Sequence, residues 1–328
     1  MTSWFFRLGG ACVALAGLAL SSPTVLVAPA AAETWPSRPV KVIVPYAPGG
    51  ATDAAGRNYS EKLSGIFGQQ FVVENRAGAS GMIGIEACSK SPADGYTFCV
   101  VPIATVAVLP HIRTTAYDPF KDFAPIGRVT DAIFTFASGT MKPWSTMQEF
   151  IADAKKNPGK YTLGSSGVGT MTHLSGAAMQ IAAGIELVHV PYKGGAEQLQ
   201  DALSGQVDMM FEGNTYPQYK AGKMKIFAVS TPYRHPSFPE IPALKEIVPS
   251  FELPNWFAIY GPAGLAPEII GKMSAALNRI ADMPDVQERA LAMGLKPIKD
   301  TPQDAAAELK KQYAAMGELV KKLKIKVE

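Results

Sequence analysis

Short runs of β-branched and aromatic residues alternate with longer amphipathic segments along the chain, and turns rich in Gly and Pro separate them. The run 40–44, VKVIV, predicts a short buried strand. Segments 71–74 and 96–101 repeat this pattern on either side of a predicted helix at 82–90. Strands that alternate with helices indicate βαβ units, and we therefore predict an α/β fold with mostly parallel sheets.

The same design recurs after residue 133. Further strands are predicted at 161–163, 187–190, 207–211, 226–230 and 256–260, and further helices at 145–156, 172–183, 267–281, 285–293 and 301–323. Ser145 and Gln148 predict a capping box at the start of the helix 145–156. We expect two lobes, one formed by residues 33–133 and 256–328 and the other by residues 134–255.

Two glycine loops lead from a predicted strand into a predicted helix, at 45–53 and at 164–170. Neither loop contains Lys or Arg, so an anion there would be held by backbone N–H groups and by the dipole of the helix. Ligands on open α/β sheets bind outside the carboxyl ends of the strands, where loops 75–81 and 102–106 also fall. The alternative is that each loop is a tight turn without a ligand.

Three side chains near these loops have more than one interpretation. Asp53 either caps its helix or binds a water molecule or an ammonium group of a ligand. Glu212 follows a predicted strand and could meet a ligand cation. His173 is either a neutral structural residue or a charged ligand contact. Apolar walls for the ligand could come from Tyr46, Pro102, Met171, Tyr192 and Trp256, or these residues could serve only in packing.

The first 32 residues have the pattern of a signal peptide. Arg7 precedes an apolar run at 11–20, and Ala30-Ala31-Ala32 is a small-residue cleavage site. We expect cleavage after Ala32 and export to the periplasm; a retained membrane anchor is the alternative. Cys88 and Cys99 remain after cleavage, and they could form either a disulfide or two buried thiols in an exported protein.

Charge and motifs exclude several classes of function. The 31 basic and 28 acidic residues give a net charge of +3, which argues against a nucleic-acid partner. The segment 164–168, GSSGV, departs from G-x-S-x-G at its last position, so no nucleophile elbow is predicted. Gly49-Gly50 lacks the following Lys of a phosphate-binding P-loop, and the four His show no zinc-site spacing. We predict a protein that is not an enzyme, that needs no metal or cofactor, and that is a monomer.

Motifs spread over the whole chain after residue 32 are similar to those of the Bug/TctC receptors, the periplasmic substrate-binding components of tripartite tricarboxylate transporters. They are VPYAPGGATD, VVENRAGASGMIGIEA, ADGYTF, YDPFKDFAPIGRV, SSGVGTMTHLSG, HVPYKGGAEQLQDALSGQVDMMF and MGLKPIKDTP. The resemblance implies a two-lobed periplasmic binding protein of type II, a Venus flytrap, that binds a small carboxylate. Its partners would be that ligand and the membrane subunits of the transporter.

The resemblance also suggests which residues bind the ligand. They are Tyr46, Ala47, Gly49, Gly50, Thr52 and Asp53 in the first loop, Ser166, Gly169, Thr170 and His173 in the second, and we add Ser80 and Glu212. The chain departs from the family pattern at Ala177-Ala178-Met179, at Met171-Thr172 and at Glu212, where an Asp is usual. Two hypotheses stay open beside the transport receptor: an exported enzyme that uses the same cleft, and a receptor for a signalling partner.

Overall fold

The computed structural model of the protein describes Met1 and residues 35–251 and 253–323. The predicted signal peptide, apart from Met1, and its cleavage site lie outside the described residues. Beyond Trp35 the described chain forms one compact unit.

Eleven strands in the described ranges form two sheets. The strands are β1 (Val40–Val44), β2 (Phe71–Asn75), β3 (Thr97–Pro102), β4 (Phe123–Ala132), β5 (Thr135–Gly139), β6 (Thr162–Ser165), β7 (Val188–Pro191), β8 (Met209–Glu212), β9 (Met224–Val229), β10 (Trp256–Pro262) and β11 (Leu295–Pro297). The first sheet has the order β11-β4-β10-β3-β1-β2, and the second has the order β7-β6-β8-β5-β9.

Most strands in each sheet run in one direction, as predicted, but both sheets also contain antiparallel strands. β1 pairs in parallel with β2 and β3, whereas β10 pairs antiparallel with β3 and β4. The connectivity gives the reason. β4 ends at Ala132 and leads into β5 of the second sheet, whereas β10 brings the chain back into the first sheet at Trp256. One strand therefore leaves the first sheet beside another that enters it, and adjacent strands of that kind run in opposite directions.

Twelve α-helices surround these sheets in the described part of the chain. They are α1 (Ala51–Phe67), α2 (Met82–Ser89), α3 (Ile103–Ala107), α4 (Leu109–Ile112), α5 (Met147–Lys156), α6 (Met171–Ala183), α7 (Gly195–Ser204), α8 (Tyr216–Lys220), α9 (Leu244–Ile247), α10 (Pro267–Ala281), α11 (Pro284–Leu291) and α12 (Pro302–Leu323). None of them is both long and apolar enough to cross a membrane.

α1 shows how periodicity builds this fold. Ala55, Tyr59 and Leu63 follow one another at intervals of four residues, which places them on one face of the helix, and each is at most 2% exposed. The Tyr59 hydroxyl donates a hydrogen bond of 2.7 Å to the carbonyl of Val129 in β4, so the helix is fixed to the first sheet by a polar bond as well as by apolar contacts. Burial of a side chain such as Leu63 contributes about 1.5–3 kcal/mol.

Two local predictions need correction. Residues 103–107 are helix α3 rather than part of a loop, because the apolar run that follows β3 continues into a buried helical turn. The cap of α5 lies one residue later than predicted: the Thr146 side chain accepts the Glu149 N–H, and the Glu149 carboxylate accepts the Ser145 N–H. A Thr followed three residues later by a Glu is the pattern of a capping box, and here Thr146 and Glu149 form it instead of Ser145 and Gln148.

Cys88 of α2 and Cys99 of β3 form a disulfide, with 6.1 Å between their Cα atoms. Both residues are fully buried. Of the two alternatives left open by the sequence, the structure therefore has the bridge. It ties α2 to the middle of β3, away from the loops at the strand ends.

Candidate ligand-binding site

A small cavity of about 30 Å³ lies where loops from the two sheets meet. Its lining consists of Tyr46, Gly50, Ala51, Thr52, Pro102, Ala104, Phe134, Ser166, Thr170, Met171, Thr172, Gly195, Glu212, Asn255 and Phe257. We call this cavity the cleft. Six of the twelve predicted site residues line it, namely Tyr46, Gly50, Thr52, Ser166, Thr170 and Glu212.

Three helices begin at the cleft. α1 contributes its first turn, α6 contributes Thr170 to Thr172, and α7 contributes Gly195. Gly50 and Gly194, the N-cap residues of α1 and α7, offer no side-chain acceptor to the first-turn N–H groups. Those N–H groups have no partner within their helices. The positive ends of three helix dipoles therefore converge on one small space.

The loops of the two sheets touch across the cleft. A Cβ atom added at Gly50 would lie 3.4 Å from the backbone nitrogen of Gly195, and one added at Gly194 would lie 3.5 Å from the Cβ of Ala47. A Cβ at Gly167 would lie 3.0 Å from the hydroxyl oxygen of Ser80. Ala47 and Ser80 thus lie at the contact between the two loop systems rather than in the lining of the cleft.

The hydroxyls of the second loop are already engaged within it. The Thr170 hydroxyl donates to the carbonyl of Gly167 at 2.7 Å, and its oxygen accepts the N–H of His173 at 3.4 Å, which caps α6. The Thr172 hydroxyl oxygen accepts the N–H of Ser166 at 2.8 Å. These bonds fix the shape of the loop before any ligand binds, with its remaining N–H groups at the cleft.

Glu212 is 4% exposed, and its carboxylate borders the cleft. One oxygen accepts the N–H of Gly213 at 2.8 Å, and the other accepts the Ser166 hydroxyl at 2.7 Å. Burial raises the pKa of Glu212, and the hydrogen bonds from Gly213 and Ser166 only partly oppose that rise.

Asp53 lies behind the first loop and outside the lining of the cleft. Its carboxylate accepts hydrogen bonds from the Gly49 N–H at 3.0 Å, from Arg57 Nε at 2.9 Å and from Asn75 Nδ2 at 2.8 Å. Burial alone would raise the pKa of Asp53, but the bonds from Arg57, Gly49 and Asn75 hold it below its usual value. Asp53 therefore fixes the position of the loop at Gly49, just before α1. This role is close to the helix capping that the sequence suggested for it.

His173 also lies outside the lining. Its Nδ1 accepts the N–H of Gly169 at 3.2 Å, and its ring stacks on that of His189 with 4.1 Å between the centroids. Burial and the neighbouring His189 lower the pKa of His173 to about 4. The ring is therefore neutral near pH 7, which agrees with a structural role for it.

Comparison with known proteins identifies the family. A family model described as "Tripartite tricarboxylate transporter family receptor", TctC, matches residues 55–325. The chain belongs to this family. A protein of Pseudomonas sp. (strain P51), described as "UPF0065 protein in tcbD-tcbE intergenic region", is 32% identical over 310 residues, which are 93% of this chain and 92% of the relative.

Solved structures agree with that assignment to the TctC family. The periplasmic binding protein BugD is 32% identical, has a TM-score of 0.85, and is matched over 90% of this chain and 100% of BugD. Rpa4515 of R. palustris, solved with adipate, is 30% identical with a TM-score of 0.85, over 89% of this chain and 99% of Rpa4515. The predicted resemblance to Bug/TctC receptors and the predicted two-lobed α/β fold are confirmed.

Sequence patterns missed several residues that line the cleft of this TctC-family receptor. Asn255 and Phe257 line it, whereas the predicted wall residue between them, Trp256, is 1% exposed and packs in the core. Side chains alternate along a strand, so the two neighbours of Trp256 necessarily face the other way. Tyr192 is also not in the lining, and its hydroxyl donates to Asp201 at 2.7 Å. Phe134, which does line the cleft, follows the end of β4 and gave no local signal.

The amide of Asn255 is a further polar group at the cleft. Its Nδ2 atom is buried and has no hydrogen-bond partner. Because an unpaired buried donor is unfavourable, Asn255 is suited to donate to a ligand oxygen or to a water molecule.

Two further features bear on chemistry. The hydroxyl of Ser165 lies 2.6 Å from Nε2 of His189, a pairing that the sequence did not predict. Ser165 is fully buried and does not line the cleft, so a substrate in the cleft does not reach its hydroxyl. Within residues 35–251 and 253–323, no group of three or more His, Cys, Asp or Glu side chains could hold a metal ion.

Proposed function

We propose that this protein is a periplasmic receptor that binds a small carboxylate in the cleft and delivers it to the membrane subunits of a tripartite tricarboxylate transporter. The convergence of three helix N-termini on the cleft is the observation that carries this proposal. Membership of the TctC family and the adipate bound to Rpa4515 support it.

The energetics require apolar contacts as well as hydrogen bonds. Four charge-assisted hydrogen bonds to a carboxylate would contribute roughly 6–12 kcal/mol, at roughly 1.5–3 kcal/mol each. Association costs about 4–15 kcal/mol, so polar contacts alone barely suffice. Phe134, Met171 and Phe257 supply apolar surface in the same cleft, and they would hold the body of the ligand.

The proposal includes closure of two lobes around the ligand. We assign residues 33–133 and 256–328 to one lobe and residues 134–255 to the other, with hinges at 128–133 and 253–257. The two sheets support this division, because β5 to β9 form the second sheet and the other strands form the first. Contacts such as that between Gly50 and Gly195 would then form on closure.

A thermal-shift screen tests the proposal. Monocarboxylates, dicarboxylates, tricarboxylates and aromatic acids are added to the purified protein lacking residues 1–32. A ligand present at 100 times its Kd stabilises the folded state by about 2.7 kcal/mol, so at least one class should raise the melting temperature. If no carboxylate shifts the melting temperature of folded protein, the proposal is wrong.

A matched pair of variants on α1 tests the location of the site. Gly50→Val would fill the space between the starts of α1 and α7. Gly65→Val lies on the same helix, where an added Cβ meets nothing within 4 Å. Gly50→Val should lose the thermal shift and Gly65→Val should keep it. Equal shifts in both variants would place the ligand elsewhere.

A further inference from the structure

The segment 291–294, which joins α11 to β11, makes a contact between the two sheets outside the cleft. It leads into the first sheet, where β11 pairs with β4. The carbonyl oxygen of Leu291 lies 3.0 Å from Nε2 of His235, which follows β9 of the second sheet. We call the lobe assigned to the first sheet the first lobe and the other the second lobe. The contact therefore joins the first lobe to the second.

The same segment approaches the second lobe at two further points. A Cβ atom added at Gly213 would lie 2.9 Å from the carbonyl oxygen of Met293, and one added at Gly294 would lie 2.5 Å from Cε2 of Tyr216. Gly213 and Tyr216 both follow β8 of the second sheet. The segment 291–294 thus packs closely against the second lobe.

The neighbours of His235 define the role of each of its ring nitrogens. The N–H of Ser237 donates to Nδ1 at 3.0 Å, so Nδ1 carries no proton. A carbonyl oxygen only accepts hydrogen bonds, so Nε2 carries the proton and donates it to Leu291. His235 is fully buried beside the rings of Tyr216 and Phe238, and burial lowers its pKa. The neutral ring therefore makes one bond within its own lobe and one bond to the other lobe.

The acceptor of this bond is fixed within the first lobe. Leu291 is the last residue of α11, and Val286 and Ala290 of that helix are at most 3% exposed. Asn58 of α1 donates a hydrogen bond of 3.3 Å to the carbonyl of Val286. Leu291 therefore moves with the first lobe, whereas His235 moves with the second.

The bond from His235 to Leu291 forms only over a narrow range of angles between the lobes. Hydrogen bonds weaken steeply when their distance or angle departs from the preferred range. Leu291 lies four residues before Leu295, which pairs with Ala132 beside the crossing between the lobes. Rotation of rigid lobes about that crossing therefore moves the Leu291 carbonyl relative to His235. Because the loops touch across the cleft in this structure, the bond belongs to the closed arrangement.

We propose that His235 is a positioning residue for ligand binding, because its bond to Leu291 stabilises the closed arrangement from outside the cleft. This inference rests on lobe closure, which is part of the proposed function. A ligand held by both loops needs the closed arrangement, so its apparent affinity falls in proportion to the closed fraction. His235 thus affects affinity without touching the ligand.

Two variants separate the two bonds of His235. His235→Asn places an amide oxygen near the position of Nδ1, where it accepts the Ser237 N–H, but its side chain is too short to reach Leu291. His235→Gln places an amide nitrogen near the position of Nε2, where it donates to the Leu291 carbonyl. Both variants lose the ring, so the loss of packing is common to them, and they differ in which bond they keep.

A cross-link across the cleft measures the closed fraction without any ligand. A Cβ atom added at Gly194 would lie 3.5 Å from the Cβ of Ala47, which suits a disulfide. Gly194 has a φ of 175°, an extended backbone that Cys adopts without strain. Ala47→Cys and Gly194→Cys are introduced into the parent and into both His235 variants. Mass spectrometry then follows the equilibrium of this bridge with glutathione. Because the bridge forms only in the closed arrangement, its equilibrium constant is proportional to the closed fraction.

The two His235 variants should differ in this equilibrium constant. Loss of one hydrogen bond changes an equilibrium about 2- to 12-fold, so His235→Asn should lower the constant by that factor. His235→Gln should stay within twofold of the parent. Urea denaturation should show similar losses of stability in both variants, since both lose the ring. A constant in His235→Asn equal to that of the parent, or equal decreases in both variants, overturns the inference.

A second pair of variants tests the contact between the lobes even if His235→Asn does not fold. Gly294 and Gly222 have φ values of +68° and +69°, so Ala incurs the same backbone strain at both. An added Cβ meets nothing within 4 Å at Gly222, whereas at Gly294 it would lie 2.5 Å from Tyr216 and 2.7 Å from the carbonyl oxygen of Ile133. Gly294→Ala should lower the constant of the bridge and Gly222→Ala should not. Equal constants in these two variants overturn the inference.

The outcomes separate this inference from the proposed function. If the bridge forms in the parent and neither His235→Asn nor Gly294→Ala weakens it, the lobes close and only the role of His235 fails. If the bridge does not form in the folded parent, the closure included in the proposed function is wrong, and the inference fails with it.

Discussion

Gly169 lies where the second loop meets α4. A variant with Ala at this position can distinguish the effect of backbone strain from the effect of contact with α4. The φ of Gly169 is +79°, and an added Cβ would lie 2.4 Å from Cδ1 of Ile112 and 2.7 Å from Cδ2 of Leu109. Those two residues belong to α4, which follows a strand of the first sheet, whereas Gly169 follows a strand of the second.

Gly184 provides a matched control. It ends α6 with a φ of +64°, and an added Cβ there meets nothing within 4 Å. Gly184→Ala therefore incurs only the cost of a left-handed backbone, about 1–2 kcal/mol. Gly169→Ala incurs a similar cost together with that of overpacking against Ile112 and Leu109, about 1–3 kcal/mol.

The two costs appear in different measurements. Both variants should lower the free energy of unfolding by about 1–2 kcal/mol in urea denaturation. If the contact with α4 forms on closure around a ligand, the overpacking cost appears in binding, where 1–3 kcal/mol corresponds to a Kd weakened about 5- to 150-fold. Gly184→Ala should bind like the parent. Calorimetry that finds the same Kd for both variants would show that Gly169 does not act through this contact.

Other expectations can be checked with the same preparations. Thr170→Ala removes the cap of α6 and should lower the free energy of unfolding by about 1 kcal/mol, while a loss of all binding would show that this hydroxyl holds the ligand itself. The pKa of His173 is lowered from 6.5 to about 4 in the folded protein. As the pH falls, His173 therefore takes up a proton in the unfolded chain before it does so in the folded protein. The contribution of His173 to the free energy of unfolding is fully present above about pH 6.5 and decreases toward pH 4 by up to about 3 kcal/mol. His173→Asn should flatten that dependence in denaturation curves at pH 7, 5.5 and 4.5, and an unchanged slope would contradict the assignment. Replacing Cys88 and Cys99 by Ala should lower stability by about 2–4 kcal/mol and leave ligand affinity unchanged; an affinity that falls would link the bridge to the site. Small-angle scattering should show a smaller radius of gyration at saturating ligand, and an unchanged radius from an open ligand-free form would exclude closure.

Local patterns in the sequence were sufficient for most helices and strands. The strand at Val40–Val44 and the helix at Met82–Ser89 follow from runs of apolar residues bounded by turns, and both signals lie within a few residues of the element. β4 gave no such signal, because Pro125 and Gly127 interrupt its apolar run. The directions of β4 and β10 depend on which sheet the chain enters next, and no local pattern records that.

Some residues of the site could likewise be predicted from local sequence, and others could not. The glycine loops around Gly50 and Thr170 could be found because each is contiguous in sequence and precedes a helix. Phe134 and Asn255 are more than a hundred residues apart, and only the fold brings them to one cleft. For the segment around Trp256, alternation gives two faces, but the sequence does not say which face is turned to the core.

The roles of two acids depended entirely on tertiary structure. In the sequence, either acid could meet a ligand, since Asp53 ends a predicted ligand loop and Glu212 follows a predicted strand. In the structure, Asp53 forms an ion pair with Arg57 one helical turn away and accepts a hydrogen bond from Asn75 of β2, whereas Glu212 is buried at the cleft with no ion pair among the described residues. The sequence determined that one acid lies in a ligand loop and that another follows a strand. Only the packing of distant elements decided that Glu212 borders the cleft and Asp53 does not, because an electrostatic interaction depends on distance in space and on burial rather than on separation along the chain.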